Sequence, residues 1–482
     1  MNPYIHLFRS PNRCYVYDVN KDSVLTVSDS LYAYLEACKD VPDNTDSIEE
    51  LGHEDREALR SMLEAGYLSD HRVERIEHFH TSDLDFQLHN RINEMVLQVT
   101  QACNLVCSYC PFANKTDDAY QRNHSSKRMT WETAKKSIDL FVDYSAEMEE
   151  VGIGFYGGEP FLNFGLIRQV VTYADQVMVG KKITYSLTTN GTMLTDEIIA
   201  FLAEHNFKMM VSIDGPASIH DINRRKADGS GSYHQAVSSL KKLSAAFGDR
   251  SYERLMINTV VNPETDFDEV LHLFDDPFFL AKKVRIAVTL ASDDKLEKPL
   301  ESRDDFFEKF NYNRFVSMMK LLGVLKDIEI DPISEQFILL LLDKTTWDDK
   351  ETPLLGSVSA PAGPCIPGQR KLFVNADGIF YPCERVNELS EDVQMGNVTD
   401  GIDLKKADRI LNIAQLTENE CKKCYAFRHC SICAVTASDG NGFSVAQKLR
   451  RCIKVKSKFN NTLRLIALKK EIDTVYKRNL IL

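Results

Sequence analysis

The run Thr100-Gln-Ala-Cys103-Asn-Leu-Val-Cys107-Ser-Tyr-Cys110 constrains this chain more than any other stretch. Its cysteines follow the spacing C-x3-C-x2-C, with an aromatic residue just before the third. Three thiolates this close on one loop can hold three corners of a cubane iron–sulfur cluster, whereas a cluster closed for electron transfer alone takes four cysteines. With three, one iron stays open to a small molecule. A zinc knuckle is the alternative. Zinc sites favour C-x2-C pairs with a fourth ligand nearby, and no further cysteine or histidine follows before His124.

Cysteine usage elsewhere points the same way. Of twelve cysteines, three lie in this loop and seven between Cys365 and Cys452, which leaves Cys14 and Cys38 isolated. Isolated free cysteines behave as small buried hydrophobes. Metal-type clustering, and not an even scatter, argues against a disulfide framework. With 482 residues the chain is long for one domain, and two or three are expected. A net charge of −13 argues against binding nucleic acid or an anionic membrane over a broad surface. No apolar run approaches the length of a membrane-spanning helix, and the first residues lack the charged-then-apolar layout of a signal peptide. A cytoplasmic protein is expected.

Along the chain, residues 1–88 read as a unit of their own. Alternation at 5–9, 14–19 and 23–27 predicts three short strands, and helical spacing follows at 29–39 and 48–68. From 89 to 320 the pattern alternates strand and helix. Strands are predicted at 95–100, 152–156, 184–189, 209–214, 255–261 and 284–290, with amphipathic helices between them. Six β/α units in series imply an α/β fold with a parallel sheet and right-handed crossovers. Residues 321–364 read as a helical bridge, within a helical pattern at 303–345. The segment 365–455 is cysteine-rich and opens with a hairpin pattern at 372–382, turning at Asp377-Gly378. A helix is predicted at 456–477, within a last segment 456–482.

The cysteine spacing resembles the signature of radical S-adenosylmethionine (SAM) enzymes, in which the open iron takes the amino and carboxylate groups of SAM. The resemblance extends in order along the chain. Gly157-Gly158-Glu159-Pro160 resembles the family's GGEP motif, which binds the SAM amino group; glycines let backbone carbonyls approach an ammonium closely, and proline stiffens the turn. The strand ending Ser186-Leu-Thr-Thr189-Asn190-Gly is similar to the strand whose polar residues reach the methionine and ribose of SAM. Ser212-Ile-Asp214-Gly-Pro, followed by His220-Asp221 and Arg224, resembles a run found in members acting on peptides and proteins. There Asp214 is placed to accept a hydrogen bond near the cofactor and Arg224 to pair with a carboxylate, although each is equally a turn or cap. Tyr109 is expected beside adenine, or as a cover for the cluster. The implied fold is a partial six-stranded (β/α)6 barrel with its chemistry at the C-terminal strand ends.

Cys365, Cys383, Cys421, Cys424, Cys430, Cys433 and Cys452 resemble a SPASM domain, which carries two auxiliary iron–sulfur clusters; a pair of zinc sites is the alternative. The family has three residues between the cysteines matching Cys430 and Cys433, and here there are two, Ser431 and Ile432. By resemblance Cys421, Cys424, Cys430 and Cys452 hold one cluster. Cys365, Cys383 and Cys433 hold the other and leave one iron for His429, water or a substrate thiolate. Glu384 stands where sulfatase-maturating relatives have an aspartate that acts as a base on the substrate, so it is the candidate catalytic residue; a surface carboxylate is the plain reading. Residues 1–88 are similar to the winged-helix domain that captures leader peptides, or else form a packing cap.

Taken together the resemblance implies a radical SAM/SPASM peptide maturase with SAM and three 4Fe-4S clusters, one binding SAM and two auxiliary. Its partners are a ribosomally synthesised precursor peptide with its leader, and an electron donor such as flavodoxin or ferredoxin. A 5′-deoxyadenosyl radical would take hydrogen from a peptide carbon, and the leading product is a thioether from a cysteine to that carbon. A carbon–carbon or ether crosslink, or formylglycine formation on a sulfatase, are the enzyme alternatives. An iron–sulfur electron carrier or peptide-binding scaffold is the non-enzyme alternative, and the GGEP motif argues against it.

Overall fold

The computed structural model describes residues 2–40, 48–113, 122–281, 284–291, 300–346 and 352–476. Strands β1 (Ile5–Arg9), β2 (Cys14–Asp18) and β3 (Ser23–Val27) pair antiparallel in that order. Side chains alternate across a pleated strand, and here both faces are buried. Cys14 and Val16 turn to the helices Asp29–Asp40 and His53–Glu64, together with Leu31, Leu35, Cys38 and Leu59. Tyr15 and Tyr17 turn the other way, onto Phe427, Phe459, Leu463 and Ile466 of the C-terminal region. Each tyrosine hydroxyl on that face has a partner: Tyr4 donates to the Cys424 carbonyl at 2.8 Å, Tyr15 to Glu471 at 2.9 Å and Tyr17 to Asp22 at 2.7 Å. Residues 1–88 therefore share a core with the end of the chain. The second predicted helix is shorter than its pattern, starting after Gly52 and stopping at Glu64.

Short β4 (Arg75–Ile76) leads to β5 (Glu94–Thr100) and β6 (Leu105–Cys107), which lies inside the cysteine run. Then come β7 (Glu150–Gly157), β8 (Lys182–Thr189), β9 (Phe207–Ser212), β10 (Arg224–Lys226), β11 (Leu255–Val261) and β12 (Arg285–Leu290). Strands β5-β7-β8-β9-β11-β12 pair in parallel in that order. Each is followed by a helix, the first being Trp131–Tyr144, whose Ala134, Ile138 and Phe141 pack inward as their spacing predicts. The six predicted strands are all present, with ends moved by a residue or two. This is the mixed α/β, central parallel-sheet architecture expected.

The hairpin β14 (Leu372–Val374) and β15 (Phe380–Tyr381) follows β13 (Val358–Ser359), which pairs with β4. β14 adds to the free edge of β5 in parallel, with Leu372 opposite Met95 and Val374 opposite Leu97. The main sheet thus has eight strands, two of them from the cysteine-rich segment. The predicted helix at 303–345 is two helices, Phe306–Leu321 and Pro332–Asp343, separated near Gly323 at φ +72°. The last helix runs Val445–Tyr476 and so begins inside the cysteine-rich segment and carries Cys452; the predicted position 477 lies outside the described residues.

Candidate functional site

The cysteine loop leaves the C-terminal end of β5, where the pairing with β7 shifts register between Gln98 and Thr100. Such an irregularity re-aims the chain. Two contacts then fix the loop. Within it, β6 pairs antiparallel with β10, so that Cys107 lies opposite Arg224. From the next strand, Gly157 and Gly158 press onto its entry: a Cβ at Gly157 would lie 2.0 Å from the Thr100 carbonyl oxygen, and one at Gly158 2.2 Å from that of Ala102. Only glycine fits either position. The first duty of this glycine pair is close packing of one strand end on the cysteine loop.

Glu159 turns inward. Its carboxylate accepts from Phe161 N at 3.2 Å, Thr189 Oγ1 at 2.9 Å and Asn190 N at 2.8 Å. Burial pushes it up to about 7 against these three donors. Pro160 opens the 3-10 turn Pro160–Asn163. Asn190 continues the chain of contacts by donating to Asn104 at 2.8 Å, and Asn104 donates to Thr192 at 2.8 Å. Asn104 sits between two of the cysteines, where no motif in the sequence marks it. Ser186 is set apart from Thr189 and Asn190; it lies mid-strand and donates to Glu94 at 3.1 Å. Ser212 is buried at the end of β9.

On the other side of the loop, Asp214 is fully buried. It accepts from Arg224 Nε at 3.0 Å, from Val260 N at 3.2 Å and from the Tyr109 hydroxyl. The Arg224 guanidinium lies 5.4 Å from the Tyr109 ring centre and brings Nη1 within 4.0 Å of Cys107 Sγ. Burial works against its charge, but Asp214, Tyr109 and Cys107 together hold its pKa above the ordinary value. Arg224 finds its carboxylate within the protein. A cation is thereby held permanently beside the loop's sulfurs.

Burial raises the thiols of the loop, Cys103 to about 11 and Cys107 to about 12. Such thiols become good ligands when a metal displaces their protons. His124 reaches the same loop: its Nδ1–H donates to the Gln101 carbonyl at 3.0 Å, which leaves Nε2 facing Cys110 Sγ at 3.7 Å. Yet among the described residues no set of three or more His, Cys, Asp or Glu side chains is gathered as one metal ion requires.

The C-terminal cysteines form two neighbourhoods. The charges that reach Cys383 include those of Cys433 and Cys365, with Glu384 beside it. Gly363 allows that approach, because a Cβ there would lie 2.1 Å from the Ile432 carbonyl oxygen. Cys421, Cys424, Cys430 and Cys452 together line a separate cavity of about 170 Å³. His429 belongs to neither; its Nε2 meets Asp22 at 2.7 Å and its ring stacks on Phe459. Glu384 reaches a cavity of about 270 Å³ inside the strand array, shared with Glu94, Tyr156, Ser186 and Lys371. Lys371 Nζ lies 3.6 Å from Glu94 and 3.7 Å from Glu384, while Glu384 Oε2 is buried without a partner. Lys371 gave no signal in the sequence, since a lysine before a strand reads as a solvated end.

Residues 97–276 match the model of the radical SAM superfamily. The chain carries a radical SAM enzyme domain. The domain is one that binds SAM beside an iron–sulfur cluster, and its match begins within β5 and takes in the cysteine loop. The chain is 24% identical to the radical SAM cyclopropyl synthase TigE of Paramaledivibacter caminithermalis over 374 residues, 75% of this chain and 70% of that protein. It is 34% identical to the serine-type anaerobic sulfatase-maturating enzyme of Bacteroides thetaiotaomicron over 152 residues, 31% of this chain and 36% of that protein. It spans less than half the length of two of the curated relatives it matches. The fold is similar to that of native anSMEcpe with bound AdoMet, with a TM-score of 0.55 at 20% identity, covering 78% of this chain and 99% of that one. Among the described residues no helix is long and apolar enough to cross a membrane.

Proposed function

We propose that this protein is a radical SAM peptide maturase that forms an intramolecular thioether in a ribosomally made precursor peptide. The observation that carries the reading is the neighbourhood of Cys365, Cys383 and Cys433, three thiols with the unpartnered oxygen of Glu384 next in the chain. Two relatives support the choice of a peptide or protein substrate: one is named as a sulfatase-maturating enzyme, and anSMEcpe has been solved with AdoMet and the peptide Cp18Cys. We assign Cys103, Cys107 and Cys110 to the SAM-binding 4Fe-4S cluster. Cys421, Cys424, Cys430 and Cys452 hold one auxiliary cluster. Cys365, Cys383 and Cys433 would hold the other, three thiols where a cluster closed by cysteines takes four, so that a substrate thiolate could complete the set.

When bound, the first cluster would cleave SAM reductively and supply the radical that takes hydrogen from a peptide carbon. The chain's own residues do the rest. Gly157 and Gly158 bring their strand end onto the cysteine loop, backbone against backbone. Glu159, Thr189, Asn190 and Asn104 lock that end to its neighbours. Arg224, fixed by Asp214, places positive charge beside Cys107 and Tyr109. In the strand-array cavity the partnerless oxygen of Glu384 would take the proton of the substrate thiol, leaving the carboxyl neutral, with Lys371 Nζ 3.7 Å from its other oxygen. The leader would add as a strand to an edge of the β1–β3 sheet.

The test is mass spectrometry of the precursor after turnover and thiol alkylation. A thioether removes two hydrogens, so the product should lose about two mass units, and one cysteine should resist alkylation. A two-unit loss with every thiol still reactive overturns the thioether. It indicates a carbon–carbon or ether crosslink, or oxidation of a serine to formylglycine as in sulfatase maturation.

A further inference from the structure

Lys448 is 2% exposed, an unusual place for a lysine. Its ammonium donates to the Ala414 carbonyl at 3.4 Å, to Thr417 Oγ1 and to Cys421 Sγ at 3.5 Å. None of these three partners is a carboxylate. Thr417 Oγ1 also lies 3.5 Å from Cys421 Sγ. Lys448 stands four residues before Cys452 in the helix Val445–Tyr476, so both fall on one face. Lys448, Cys421, Cys424, Cys430 and Cys452 all line the cavity of about 170 Å³, as do Glu420 and Lys456.

A buried cation is costly unless an anion compensates it. With four neutral thiols this cavity offers no such partner at the sulfurs. With four thiolates around a cubane it offers a net negative group, which a buried ammonium would balance. We infer that Lys448 is the counter-cation of the iron–sulfur cluster held by Cys421, Cys424, Cys430 and Cys452, and that it raises the reduction potential of that cluster. The inference rests on the three-cluster reading above. One-electron reduction makes the group more negative by one unit, so a fixed cation stabilises the reduced form more than the oxidised one. Hydrogen bonds to cluster sulfurs act in the same direction. Lys448 is a positioning and tuning residue, not a catalytic one: it touches a ligand sulfur and nothing that reacts. A higher potential makes this cluster easier to reduce, which suits it to receive the electron left over when the peptide radical closes its new bond.

The experiment uses the full-length chain, reconstituted anaerobically with iron and sulfide, in a background with Cys103, Cys107 and Cys110 changed to alanine to remove the first cluster's signal. Redox titration followed by electron paramagnetic resonance compares Lys448→Met, which keeps length without charge, and Lys448→Arg, which keeps the charge. Lys448→Met should retain the iron and lower the midpoint, so that the reduced-to-oxidised ratio at a fixed potential falls about tenfold, equivalent to about 59 mV for one electron. Lys448→Arg should stay near the parent value. If Lys448→Met instead loses about four irons and Lys448→Arg keeps them, the counter-charge role is again supported. An unchanged midpoint with iron retained overturns the inference and leaves the cluster assignment standing. If the parent protein shows no cluster at these cysteines, the three-cluster reading itself falls.

Discussion

At the scale of single residues, buried polar groups do most to define the site, and their hydrogen bonds fix their protonation. His220 is fully buried behind Asp214. Its Nδ1 accepts from Asp214 N at 3.4 Å, and its Nε2 meets Ser232 Oγ at 3.0 Å, while the Ser232 hydroxyl donates to the Arg224 carbonyl at 2.7 Å. The serine's hydrogen is used, so Nε2 must be the donor and the ring neutral. Burial pushes His220 down to about 4 from 6.5, against the pull of Asp214. A depressed pKa means the unfolded chain takes the proton first. The stability this neutral ring contributes is complete above pH 6.5 and is lost as pH falls toward 4, by up to about 3 kcal/mol. His220→Gln offers a similar acceptor and donor without titrating, so its melting temperature should fall less steeply over that window. Parallel melting curves for the two proteins would exclude the role. Asp214, Arg224 and His220 stood out in the sequence by their order along one run. That they form a support for Cys107 did not, because a sequence run does not say which way side chains turn.

At the scale of elements, strands deliver the residues and glycines set how near two strand ends can come. Gly158→Ala would place a Cβ 2.2 Å from the Ala102 carbonyl oxygen and 2.8 Å from Cys103 N. These are backbone atoms, so the cysteine loop must shift. Overpacking of this kind costs about 1–3 kcal/mol. On the proposed assignment, the reconstituted protein should also lose about a third of its iron. Gly165→Ala is the control: a Cβ there meets nothing within 4 Å, and the variant should keep its iron. Iron content equal to the parent in Gly158→Ala would separate the glycine from the cluster. The element boundaries were legible wherever periodicity was strong, as in the six parallel strands. They failed where length came from packing. The last helix starts at Val445 because its first turns cover the cavity of Cys421 and Cys452, a reason absent from local pattern.

At the scale of the whole molecule, the first and last parts of the chain are one packed body. The face of β2 that carries Tyr15 and Tyr17 reads as half-polar in sequence, since tyrosine suits a solvated strand face. In the fold that face covers Phe427, Phe459, Leu463 and Ile466, and Arg428 donates to the carbonyls of Val19 and Asn20 at 2.8 Å and 3.0 Å. Removing residues 1–88 would uncover these apolar side chains, each worth about 1.5–3 kcal/mol when buried. The truncated protein should bind a hydrophobic dye and lose near-ultraviolet circular dichroism. A truncated chain that stays native by both measures would show the sheet to be dispensable. Leader binding is therefore better tested by substitutions at the sheet edges than by deletion. What the sequence alone determined is the part that depends on spacing along the chain: three cysteines on one loop after a strand, six β/α units, a GGEP turn at the second strand end and a cysteine-rich segment near the C-terminus. Local periodicity and covalent spacing specify such features. What only the tertiary structure decided depends on residues far apart in number. β14 joins β5, Glu384 meets Lys371 and Glu94, Lys448 reaches Cys421, and the N-terminal sheet closes over the C-terminal cysteines. These contacts follow from which apolar faces can be buried together and which charges must then find partners, and that balance exists only once the whole chain has packed.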